Sequence, residues 1–182
     1  MSISWRYGVA AFGLVAATSY ALAQMGLGSV QDHHHAHSPY AGFQQRGIKA
    51  LSEQQLSDLR AGRGMGLALA AELNGYPGPL HVLELEDQIG LSTDQKLRVQ
   101  QLYQAMKADA IAAGAKLIER ETALDSTFAS REITPEKLSS LTTEIGVAQG
   151  ELRAVHLKYH LAVSGLLSTE QRQKYAELRG YH

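Results

Sequence analysis

The sequence predicts an all-α protein built on a long antiparallel helical hairpin with short flanking helices. Three observations predict it. The pattern Leu-Ser-x-x-Gln occurs at Leu51 to Gln55, at Leu91 to Gln95 and at Leu167 to Gln171. Two apolar stripes each keep steps of three and four residues over roughly 30 positions, the period of a helix face. Between the stripes only the short stretch from Ser130 to Thr134 is left to reverse the chain.

The first residues read as a leader. Arg6 precedes an uncharged run from Tyr7 to Ala23, rich in Ala, Gly, Val and Leu, which closes on Ala21-Leu22-Ala23 ahead of Gln24. A basic start, an apolar middle and small residues at the exit are the marks of a cleavable secretory signal peptide, here residues 1–23. The competing reading is an uncleaved membrane anchor, because the run sits at the short edge of the roughly 17 to 25 residues that span a bilayer. The chain has no cysteine, so it carries neither a lipid-attachment thiol nor a disulfide, and stability has to come from helix packing, a metal or a partner subunit. It holds 17 basic and 18 acidic side chains, and the leader contributes only Arg6, so the mature chain has 16 against 18. That balance does not point to nucleic acid.

Residues 24–47 are rich in Gly, Ser and His without apolar periodicity and read as a disordered arm that contains His33, His34, His35 and His37. Residues 48–182 read as one helical domain. Ser52 caps a short helix reaching about Arg60, in which its hydroxyl accepts the N–H of Gln55 while the Gln55 amide reaches back. Gly62, Gly64 and Gly66 loosen the backbone before Leu67 to Leu73 regain helical character. Asn74 to Pro79 concentrates turn residues, and Pro79 suits the first position of a helix over Leu80 to Gln88 that Gly90 ends.

The two long helices come next. Ser92 and Gln95 cap the first, whose stripe runs Val99, Leu102, Met106, Ala110, Ala113, Leu117, Leu124 and Phe128 with one gap at Glu121. Thr134 and Pro135 start the second, whose stripe runs from Leu138 through Ile145, Leu152, Val155 and Tyr159 to Leu166. Each is about 50 Å long at its residue count. Ser168 and Gln171 cap a terminal helix to about Arg179. So thin a body leaves an apolar face for a second copy, which predicts a homodimer.

His156 and His160 are four apart, so on a helix they project from one face, where two imidazoles can share a transition metal ion; Zn, Ni, Co and Cu all accept nitrogen ligands. They flank the seam residues Val155 and Tyr159, at the edge between packed and solvated surface. The alternative is a pair of surface histidines bonded to water or carboxylates. The cluster His33, His34, His35 and His37 can also capture metal as an auxiliary site, at an entropic cost for a flexible arm, or serve only as a solvated linker.

Three Leu-Ser-x-x-Gln motifs together with a secretory leader, no cysteine, a helical pattern and clustered histidines resemble the periplasmic Spy/CpxP proteins and their LTxxQ motifs. That family includes the CnrX- and ZraP-like heavy-metal sensors and resistance proteins. The resemblance spans about Gly47 to Tyr181, with Ser in place of the motif's Thr. It implies a periplasmic location and a cradle-like or interlocked homodimer. It also implies a metal site on the second long helix at His156 and His160, where His160 stands in place of the family's Met. The family completes such a site with His and Glu from the helices before the hairpin, and His81 and Glu84, three apart, are the candidates here. A half-exposed helix histidine is the alternative for His81.

The function expected is therefore transition-metal binding in heavy-metal or envelope stress response, with Zn, Ni, Co or Cu as the ion and a membrane partner in that response as a candidate reader. The alternative, also implied by the resemblance, is a metal-independent holdase for unfolded clients. Basic residues such as Lys96, Lys116, Arg120 and Lys158 are scattered along the long helices and do not form a client-binding patch by themselves. Catalysis is not expected: no Gly-x-Ser-x-Gly, phosphate loop or Glu-x-x-His occurs.

Overall fold

The computed structural model describes residues 38–181, so the leader at residues 1–23 and the cluster His33, His34, His35 and His37 lie outside the described residues. Every regular element described is helical. A 3-10 turn at Phe43–Gln45 is followed by α1 (Glu53–Ala61), α2 (Leu69–Glu72), α3 (Pro79–Glu84), α4 (Thr93–Ala129), α5 (Pro135–Leu166) and α6 (Thr169–Arg179). None of the described helices is long and apolar enough to cross a membrane.

Each Leu-Ser-x-x-Gln motif opens one helix, at α1, α4 and α6, and in each the Ser hydroxyl and the Gln side chain complete a reciprocal capping box. Thr134 caps α5 by accepting the Lys137 N–H, with Pro135 at the first helical position. The helix predicted over Leu80 to Gln88 stops at Glu84. From Leu85 the chain tightens into successive turns that end at Gly90, where φ is +69°. Those turns swing Ile89 and Leu91 into the interior, and their burial there outweighs about one lost helical turn.

The long helices α4 and α5 pack along each other, and their cross-links descend along α5 as they ascend along α4. Asp109 meets Lys158 at 2.7 Å and the Tyr159 hydroxyl at 2.8 Å, Lys116 meets Glu151 at 3.4 Å, and Arg120 meets Glu144 at 3.3 Å. These exposed pairs set register more than stability. Stability comes from two separate apolar clusters. The first packs Leu56 and Leu59 of α1 on Ala110, Ala113 and Leu117 of α4 and Ile145 and Leu152 of α5. Here α1 lies so close that a Cβ at Gly114 would sit 2.8 Å from the Leu59 carbonyl oxygen. The second joins Val82 of α3, Val99 of α4, Val163 of α5 and Tyr175 of α6, with Leu167 ahead of α6. Beyond the reach of α1 the stripe is uncovered, and Phe128 and Leu138 are exposed.

The second and third motifs are joined to each other. The Gln95 amide donates to the Leu166 carbonyl (2.8 Å) and to Gln171 Oε1 (2.9 Å). The Gln171 amide donates to the Gly90 carbonyl (3.1 Å) and to Gln95 Oε1 (3.0 Å). Each Oε1 also accepts the N–H of its own capping Ser. Both side-chain amides therefore use their two donors and both lone pairs, and the start of α4 is clasped to the start of α6. Gln55 carries only its own cap. The same Gln→Glu change should thus read differently at the two places. Glu is a good capping-box residue, so Gln55→Glu should leave the thermal midpoint nearly unchanged. Gln95→Glu sets a carboxylate against Gln171 Oε1 and strips a donor from the Leu166 carbonyl, and should cost about 1–3 kcal/mol in urea unfolding.

Glu121 fills the gap in the α4 stripe and is only 9 % exposed. Burial raises its carboxyl above the ordinary value of 4.5. The unfolded chain then releases this proton more readily than the folded one, so stability falls as pH rises from about 4.5 through the raised value. Glu121→Gln should therefore raise the melting temperature at pH 7, and the gain should vanish below pH 4.5 in melts followed by circular dichroism.

Candidate functional site

Between the two apolar clusters α5 carries a polar layer. His156 and His160 lie there, one turn apart, with Leu152 of the first cluster below and Val163 of the second above. Sequence spacing places them at the edge of packed surface; the structure buries them, His156 to 2 % exposure and His160 to 7 %. The reason is that the segment from α2 to α3 folds over this face of α5.

That segment brings a carboxylate with it. Glu72, at the end of α2, is 7 % exposed. Its Oε1 accepts hydroxyl protons from Tyr175 and, at 3.2 Å, from Tyr181; its Oε2 accepts the Gly78 N–H at 3.1 Å. Burial pushes the Tyr175 phenol up, and the bond to Glu72 adds to it, so this hydroxyl stays a donor. Arg179 donates to the Tyr181 hydroxyl at 3.3 Å, which raises the guanidinium further and ties the end of α6 into the same network.

His160 joins through Nδ1, which lies 2.7 Å from the Tyr76 carbonyl oxygen and 3.6 Å from Glu72 Oε2. A carbonyl only accepts, so Nδ1 carries a proton, and in the neutral ring Nε2 is the nitrogen with the lone pair. His156 is different. Its Nε2 is buried without any hydrogen-bond partner, an arrangement that costs free energy and that native structures seldom keep. Burial holds His156 below the ordinary histidine value, and the neighbouring His160 adds to that shift, so the ring is neutral at pH 7.

Both rings border one cavity of about 580 Å³, whose walls also include Glu72, His81, Met65 and Met106. Of the four ligand candidates read from the sequence, three, His156, His160 and His81, therefore face one space. Glu84 does not border it; its Oε2 holds His81 Nδ1 at 2.9 Å in a solvent-exposed pair. Sequence reasoning missed Glu72. Its signal was present, since it is the lone acid in the apolar run from Met65 to Leu73. Among the described residues no group of three or more His, Cys, Asp or Glu side chains is gathered so as to hold a metal ion. No protein-family model, curated protein or solved structure matches this chain.

Gly78 is required by this packing, because a Cβ there would lie 2.7 Å from His160 Nε2. Its φ of −83° suits any residue, so the constraint is steric. Gly78→Ala should displace the His160 ring and cost about 1–3 kcal/mol, the usual range for overpacking, in denaturant unfolding.

Proposed function

We propose that this is a periplasmic transition-metal-binding protein of heavy-metal or envelope stress response, acting without catalysis, with Zn, Ni, Co or Cu as the ion. The observation that carries the reading is the orphaned Nε2 of His156, buried beside a second imidazole whose Nε2 is also uncommitted, on the wall of a partly open cavity. A neutral imidazole needs no proton displaced before it ligates, so burial prepares His156 for this role. His81 borders the same space and is a further ligand candidate through Nε2, its Nδ1 being held by Glu84. Glu84 is the weakest candidate, and Glu72 replaces it as the carboxylate nearest the imidazoles.

The resemblance of the three motifs to those of the Spy/CpxP family supports a periplasmic setting and a homodimer of antiparallel hairpins, cradle-like or interlocked. It also supports a reader in the membrane. Occupancy at His156 and His160 would act on Glu72 through His160, and Glu72 holds α6 through Tyr175 and Tyr181. An ion that favours one placement of this network would shift the packing of α6, a change that a partner can read.

Calorimetric titration with Zn, Ni, Co and Cu(II) tests the reading. The full mature chain is used with His33, His34, His35 and His37 changed to Ser, so that the arm does not compete. Binding at micromolar affinity or tighter is expected and should be lost in His156→Leu, whose near-equal volume keeps the helix signal intact. Titration without heat in the four-Ser chain would sink it.

A second reading draws on the exposed apolar side chains Leu69, Leu73, Leu97, Val147 and Leu161. A metal-independent holdase would present such residues to unfolded clients. In that case His156→Leu should suppress aggregation of a denatured substrate as well as the parent chain does.

A further inference from the structure

We propose that the cavity takes a soft monovalent metal ion, Cu(I), through the imidazole nitrogens of His156 and His160 and the thioether sulfurs of Met65 and Met106. The proposal rests on the metal-binding reading and narrows it to one ion.

Few donors on the wall are free. Glu72 is spoken for, with both oxygens accepting hydrogen bonds. His81 is paired with Glu84 at the surface. What remains is His156 Nε2, His160 Nε2, the Nε2 of His81 and two thioethers, and none of these is engaged by a protein hydrogen bond. Imidazole and thioether together form a neutral, soft donor set, which suits Cu(I) and serves Ni, Co or Zn poorly when carboxylate and water are withheld.

Charge points the same way. Lys107 and Arg63, the latter paired with Asp58, also border the cavity, against the single carboxylate of Glu72. A dication would bring two positive charges to a wall that is largely apolar and offers a single carboxylate; Cu(I) brings one. Desolvation penalises the higher charge more.

The backbone supplies an independent observation. Met65 sits at φ +44° between Gly64 and Gly66, one of two non-glycine residues at positive φ among those described. A long side chain rarely adopts this conformation without compensation, and packing does not supply it, because Met65 is 41 % exposed. The strained turn places Met65 on the wall of the space that His156 and His160 also line. Met106, by contrast, is buried on α4 and lines the same space.

The test is anaerobic competition for Cu(I) against bicinchoninate, run on the full mature chain bearing the four arm His→Ser changes, with Zn titration and X-ray absorption alongside. Cu(I) should bind, with sulfur as well as nitrogen scatterers around the copper. Met106→Leu and Met65→Leu keep side-chain volume, and each should weaken Cu(I) roughly tenfold or more, the loss expected when metal support is removed. Zn affinity should move less than about twofold in either variant, because the imidazole donors are untouched and a thioether adds little to Zn. Sulfur-free absorption spectra, or Cu(I) affinity unchanged in both Met→Leu variants, would overturn the proposal. If Zn, Ni or Co still bind and are lost in His156→Leu, the broader metal reading stands while this one falls. If no ion binds, both fall together.

Discussion

Burying the Glu72 carboxylate is the constraint around which the rest of the molecule is arranged. A charge in an apolar interior is tolerated only when its lone pairs are met, and here the donors must come from distant parts of the chain. Tyr175 and Tyr181 come from the far C-terminus, Gly78 from the turn before α3, and His160 approaches from α5. Satisfying one carboxylate therefore fixes α2, α3, α5 and α6 relative to one another. It also explains why α6 is docked although it carries a single buried residue, Tyr175, and little apolar surface of its own.

The clasp between Gln95 and Gln171 works on the same body from the other end. It sets the first turn of α6 against the first turn of α4, while the Glu72 network holds the last turns of α6. Between these two anchors the second apolar cluster is enclosed. Polar groups thus supply position and apolar groups supply most of the stabilisation, and each helix end that would otherwise leave orphan donors or acceptors is used as an attachment point.

Much of this was legible in the sequence because it follows from local rules. Capping boxes need only a Ser and a Gln three residues apart, and all three form as read. The stripes of α4 and α5 need only helical periodicity, and the two helices pack along them. What was not legible depends on contacts far apart in the chain. Nothing local says that Gln95 and Gln171 meet across 76 positions, or that the tyrosines at the C-terminus seek an acid at position 72. The burial of His156 has the same origin, since its own helix face reads as a flank until the glycine-rich segment from Gly62 to Gly78 is laid over it. The early end of α3 is a tertiary override of a local pattern, in which burying Ile89 and Leu91 wins over continuing a helix.

The polar layer's position explains how a buried site can coexist with a stable fold. His156 and His160 fall between the two apolar clusters and belong to neither, so the cost of an unpartnered imidazole is confined to a band that packing on either side does not need. Had the orphaned nitrogen sat within the first cluster, it would have competed with the closest helix contacts of the molecule, those of α1 on α4 around Gly114. Placed in the interval, it costs stability locally while the clusters hold the long helices in register. A ligand that meets His156 Nε2 recovers that cost, and by mass action it stabilises the arrangement of α2, α3 and α6 around it. On the metal reading, that recovery is the source of the free energy with which an ion at α5 would influence helices that it does not touch.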